Sequence, residues 1–153
     1  MARVLLLAFA IMGLCLVIHV TGIVILGEEV VRRRAKIEER SGFTYAAGML
    51  MVVFAIIVLL HLIEATVWAV FYYWSGLFSS FESALYFSLT SYSTLGYGDV
   101  LLPPSWRLLG TIEGISGVLL CGLSTAFLFA VVNALFSFGG LRVRRERIHK
   151  TVK

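Results

Sequence analysis

The chain has 153 residues, of which 59% are hydrophobic and 14% charged, and a mean hydropathy of +0.94. Soluble domains carry about 25% charged residues, so a water-soluble domain is excluded and the sequence belongs in a bilayer. The formal charge is +4, and the two cysteines, Cys15 and Cys121, both lie in apolar runs, which leaves no disulfide framework, zinc cluster or redox motif.

In chain order, the first apolar stretch runs from Val4 to Leu26. It exceeds the roughly 7 to 15 residues of a signal-peptide core, which predicts an uncleaved spanning helix within residues 1–27. Segment 28–44, containing GEEVVRRRAKIEER, is a charged connector. Glu28 with Arg32 and Glu29 with Arg33 stand at i,i+4 in the favourable order, so the first helix is expected to continue into water. An outer helix is predicted over 45–73, with His61 and Glu64 on one face halfway along it. Ser79 and Glu82 give a capping-box pattern ahead of a short helix over 80–91, about three turns long and unable to span. Pro103 and Pro104 mark the turn into an inner helix over 105–138 that carries Glu113. Residues 139–153 form a basic tail opening on Gly139 and Gly140, a pair expected to end or bend that helix.

Eleven of the 13 Lys and Arg fall in two segments: Arg32, Arg33, Arg34, Lys36 and Arg40 in the connector, and Arg142, Arg144, Arg145, Arg147, Lys150 and Lys153 in the tail. Basic residues mark the cytoplasmic side, so the N-terminus is expected outside a cell membrane and the C-terminus in the cytoplasm. Residues 74–104 then face outward. The tail suits anionic lipid head groups, at about 1 kcal/mol per basic residue near the surface. It has no interleaved aromatics, and no nucleic-acid partner is expected.

Within the outward segment, the short helix enters the membrane and stops partway, its C-terminal partial negative charge favouring a cation inside. STLGYGD follows at 93–99. Irregular backbone at membrane depth is tolerated only where protein buries it or where it lines a watery cavity. For successive carbonyls to point one way, residues must alternate between right- and left-handed regions, and Gly96 and Gly98 remove the Cβ penalty at two positions.

TLGYGD at 94–99 resembles the TVGYGD signature of potassium-channel selectivity filters, and residues 46–138 resemble the pore domain of that family. The resemblance implies a fourfold pore in which four identical loops replace the hydration shell of potassium. The potassium ligands would be the carbonyls of Thr94, Leu95, Gly96 and Tyr97, with the Thr94 hydroxyl at the inner end and Gly98 closing the run. Asp99 would sit behind or above the filter, supported by Thr90, Ser93 and Tyr86. Trp106, Gly117 and Gly122 resemble the family's tryptophan and its two inner-helix glycines, with Gly117 and Gly122 as hinges. Helical spacing places Val118, Cys121, Thr125, Phe129 and Asn133 on one face to line a cavity, with Phe129 and Asn133 as the inner constriction. Three departures bear on filter stability: Tyr86 and Phe87 replace two tryptophans, Thr90 stands where some relatives have glutamate, and Leu95 replaces valine.

His61, Glu64 and Glu113 are intramembrane ionisable residues, costly and hence functional candidates. Interhelical bonding by His61 and Glu64, within the pair or toward the first helix, is preferred to proton sensing. Glu113 is placed behind the filter. The expectation is an all-α membrane protein with three transmembrane helices, a re-entrant pore helix and a filter loop. It forms a homotetramer that conducts K+ passively, has no cofactor beyond bound potassium, and is no enzyme. The alternatives are a nonconducting accessory subunit of a channel and a subunit of an ion-coupled transporter.

Overall fold

The computed structural model describes residues 2–39 and 43–151, with side chains over 2–33 and 44–135. Four α-helices carry the chain: α1 (Ala2–Glu39), α2 (Phe43–Trp74), α3 (Phe81–Tyr92) and α4 (Arg107–Thr151), with a 3-10 turn over Pro104–Trp106 leading into α4. There is no strand among the described residues. Ala2–Arg33, Thr44–Trp74 and Pro104–Leu135 are each long and apolar enough to cross a membrane. Helix is the form that satisfies every backbone donor and acceptor within one segment, as lipid requires.

The three long helices pack on one another and leave apolar side chains outward: Leu6, Phe9 and Val17 on α1, and Met51, Phe54 and Leu59 on α2, are all more than half exposed. Where helices meet, small residues bring the backbones close. Ala8, Cys15, Ala65 and Ala69 are fully buried, and Gly22 faces the Leu60 side chain. Two apolar clusters result. One joins α1 and α2 to the short helix and the start of α4 through Trp68, Tyr72, Phe87, Tyr92, Leu102 and Leu109. The other joins Leu26, Val30, Val53, Ile57, Val131 and Leu135. Between them along the bundle lie buried polar residues His19, Glu64 and Ser124.

A backbone closure ends α2, and a side-chain cap starts the short helix. α2 stops where Gly76 takes φ +67°, with Gly76 N donating to Tyr73 O and Leu77 N to Tyr72 O, a Schellman closure. The N-cap of α3 is Ser80, whose hydroxyl accepts from Ser83 N at 3.1 Å; the expected Ser79–Glu82 box is replaced by a cap one residue on. Ser80 sits in extended backbone (φ −135°, ψ 150°), the conformation a capping side chain needs.

Three further expectations are corrected. Arg32 pairs with Glu29 rather than Glu28, and Glu29 also holds Arg33, because i,i+3 and i,i+4 partners are equally within reach on a helix. Gly139 and Gly140 do not end α4, which runs on to Thr151; two glycines cost a helix about 2 kcal/mol, and the Arg- and Lys-rich stretch beyond them has good helix propensity. The inner helix begins at Arg107, two residues later than expected, behind the 3-10 turn. Arg40 lies outside the described residues, as do the side chains of Arg34, Lys36 and the basic tail.

Candidate functional site

The last carbonyls of α3 would be orphaned at the helix end, and the following loop folds back to satisfy them. Ser93 N donates to Leu89 O at 3.1 Å, Thr94 N to Ser91 O at 3.0 Å, and Gly96 N to Thr90 O at 3.1 Å. The Ser93 hydroxyl adds a bond to Leu89 O, and the Thr90 hydroxyl caps back onto Phe87 O at 2.9 Å. Thr90 thus bonds within its own helix and makes no side-chain bond to Asp99.

The loop then alternates. Thr94, Gly96 and Gly98 have φ of 61°, 54° and 77°, whereas Leu95 and Tyr97 are on the negative side. Strict alternation of the sign of φ flips successive peptide planes, the backbone requirement for neighbouring carbonyls to share a direction. Gly96 and Gly98 meet it without a Cβ penalty, but Thr94 is β-branched, and its left-handed backbone costs about 1–2 kcal/mol. Residues 93–99 are all exposed in the single chain, with Leu95 at 60% and Tyr97 at 67%. Beside them opens a groove of about 570 Å³ lined mainly by the end of α3, the loop and the first half of α4, including Phe87, Ser91, Ile115 and Val118.

The loop is anchored from outside and behind. Tyr86 Oη donates to Asp99 Oδ2 at 2.7 Å, and the carboxylate that accepts this proton holds the Tyr86 hydroxyl above the usual phenol range. So the tyrosine, not Phe87, ties the acid to α3. Glu113 is fully buried and accepts from Tyr72 Oη at 2.7 Å and from Ser88 Oγ, which also lies 2.6 Å from Ala65 O. One carboxyl group thereby joins α2, α3 and α4. Gly117 packs so closely that a Cβ there would lie 2.0 Å from Tyr92 O, and one at Gly114 would lie 3.1 Å from Ser91 O. Gly122, by contrast, meets nothing within 4 Å, and α4 is continuous through both Gly117 and Gly122.

On α4, Val118, Cys121, Thr125, Phe129 and Asn133 were expected on one cavity-lining face. Val118, Cys121, Thr125, Phe129 and Asn133 are all exposed in the single chain, Phe129 at 69%, although Cys121 Sγ still lies 3.9 Å from His61 Nε2 of α2. Thr125 spends its hydroxyl on Cys121 O of its own helix, at 2.8 Å.

Behind the loop lies a second polar constellation. His19 Nδ1 is 2.8 Å from Glu64 Oε1, Tyr92 Oη donates to Glu64 Oε2, and His61 Nδ1 is 2.9 Å from Tyr92 Oη. His61 Nε2 and His19 Nε2 lie 3.1 and 3.0 Å from the same Ser124 Oγ. Sequence reasoning paired His61 and Glu64 but overlooked His19, Tyr92 and Ser124. His19 carried a signal, an ionisable residue inside a spanning stretch; serine and tyrosine there carry none.

A family model described as ion channel matches residues 56–134, taking in most of α2, all of α3 and its loop, and α4 as far as Ala134. No curated protein and no solved structure matches the chain.

Proposed function

The chain belongs to the ion channel family, and from that premise we propose that it is a potassium-selective channel whose pore is lined by the 94–98 backbone of four identical copies. The alternating φ at Thr94, Gly96 and Gly98 carries this reading, because it occurs at the end of a short helix inside the family-matched segment. Four copies about one axis would offer rings of oxygens from Thr94, Leu95, Gly96 and Tyr97 in place of water around K+. The C-terminus of α3 adds its partial negative charge near the inner end. Potassium is the cargo, and it moves down its own gradient.

Exposure of the loop supports assembly. In lipid, irregular backbone needs protein or an aqueous lumen against it, and a lone chain supplies neither around residues 94–98. Neighbouring copies would cover Leu95 and Tyr97 and fill the open groove, while the Val118–Asn133 face of α4 would line the cavity below. The protein is a multi-pass membrane protein; the basic connector and tail support a cytoplasmic C-terminus, in contact with anionic lipid, and an external N-terminus.

Purified protein in liposomes under a K+ gradient tests the proposal. The expected result is barium-sensitive Rb+ uptake with no second solute and no uptake of Na+. Absence of flux would turn the reading to an accessory subunit, and a strict need for a co-solute would turn it to a transporter.

A further inference from the structure

α1 lies outside the family-matched residues, yet His19 reaches the residue two places before the loop's first left-handed position through a closed set of contacts. Five groups from four helices make five bonds in a ring: Glu64 to His19, His19 to Ser124, Ser124 to His61, His61 to Tyr92, and Tyr92 back to Glu64. We infer that this ring is a positioning device, by which the first helix holds the inner end of the 93–99 loop in its conducting geometry. The functional half of the inference rests on the channel reading above; the ring itself does not.

Proton counting supports a single closed state. Each bond needs one proton, and the neutral forms of glutamic acid, two imidazoles, serine and tyrosine supply one each. They can be arranged in one direction: Tyr92 donates to Glu64, Glu64 to His19 Nδ1, His19 Nε2–H to Ser124, Ser124 to His61 Nε2, and His61 Nδ1–H to Tyr92. Shifting one proton across the Glu64–His19 contact gives carboxylate and imidazolium with the same total. One proton fewer sets two lone pairs face to face, and one more sets two N–H or O–H groups face to face. The complete ring therefore has no net charge, which suits a site among groups that are 0% exposed at His19 and Glu64 in the middle of the bundle. Other groups that approach it are Cys15 Sγ, 3.9 Å from Glu64 O, and Cys121 Sγ, 3.9 Å from His61 Nε2; His61 Nδ1 is also 3.3 Å from Glu64 Oε2.

The link to the loop is Tyr92. Its side chain closes the ring, and its carbonyl is the atom against which Gly117 packs. A shift of α1 or α4 is thus transmitted to the residue preceding Ser93. Two imidazoles and a carboxylate within 4.8 Å of one another also make a zinc-type donor set. Binding a metal would take the lone pairs that the ring uses, so the two readings exclude each other.

The test compares Glu64→Gln, Glu64→Ala, His19→Ala and the milder Ser124→Ala by thermal unfolding in detergent and by Rb+ and Na+ uptake in liposomes. The side-chain amide introduced by E64Q can donate to His19 and accept from Tyr92, so this variant is expected to keep wild-type unfolding and selective uptake. H19A, S124A and E64A each leave buried groups unpaired, and selective uptake is expected to fall about tenfold or more. E64Q as damaging as E64A would overturn the neutral ring. H19A and S124A that unfold earlier but keep full, selective uptake would overturn the positioning role. Stabilisation of wild type but not H19A by micromolar Zn2+ would overturn the ring in favour of a metal site. If wild type itself carries no Rb+, the channel reading fails, and the unfolding series still decides the ring.

Discussion

Two polar regions sit in this apolar bundle, and they satisfy their hydrogen-bonding groups in opposite ways. The ring of His19, Glu64, Tyr92, His61 and Ser124 closes on itself within one chain. The 93–99 loop bonds back onto Leu89, Thr90 and Ser91 at its inner edge and to Tyr86 through Asp99 at its outer one, and leaves the alternating backbone from Thr94 to Gly98 exposed. In a single chain the ring's groups are thus paired where they are buried, whereas the open backbone lies on the surface that, on the proposed reading, further copies would cover.

The sharpest way to break this contrast is at the open backbone. Gly96→Ala forces a side chain onto φ +54°, at about 1–2 kcal/mol in each chain and, in the proposed tetramer, in every subunit. Rb+ uptake is expected to drop to that of empty liposomes, with helix content by circular dichroism unchanged; retained uptake would mean that conduction does not run through this backbone. Next is the seam between the regions. Gly117→Ala overpacks against the Tyr92 carbonyl, with an expected loss of about 1–3 kcal/mol and impaired uptake, whereas Gly122→Ala meets open space and should leave both unchanged. The reverse order would restore bending at Gly122 as the chief role of the α4 glycines.

Glu113→Ala removes the acceptor shared by Tyr72 and Ser88. Unfolding in detergent is expected at lower temperature, with a loss of about 1–3 kcal/mol of stability, the penalty for stranding buried hydroxyls. The smallest effect is at the outer rim, where Tyr86→Phe frees Asp99 and should shorten the lifetime of conduction while sparing selectivity. Because Asp99 raises the folded-state pKa of Tyr86, the bond contributes fully below the unfolded phenol value of about 10 and is lost as pH rises through the folded one. Wild-type currents should come to resemble Y86F only in strong alkali, which recordings across pH would check.

Three apolar spans, a short capped helix between the second and third, and a loop whose glycines fall at every second position were all legible in the residues alone, because each depends only on run length or local backbone sterics. The support of Asp99 by Tyr86 was expected and is found as a hydrogen bond, whereas the Tyr72 and Ser88 partners of Glu113 were not expected. Packing between helices decided the rest: that Ser80 rather than Ser79 caps α3, that Thr94 joins the glycines at positive φ, and that Gly117 is required by the Tyr92 carbonyl. Packing also brought His19, 45 residues from Glu64 in the chain, into hydrogen-bond reach of it. Such contacts depend on how helices rotate and dock, and no local period of the sequence records that rotation.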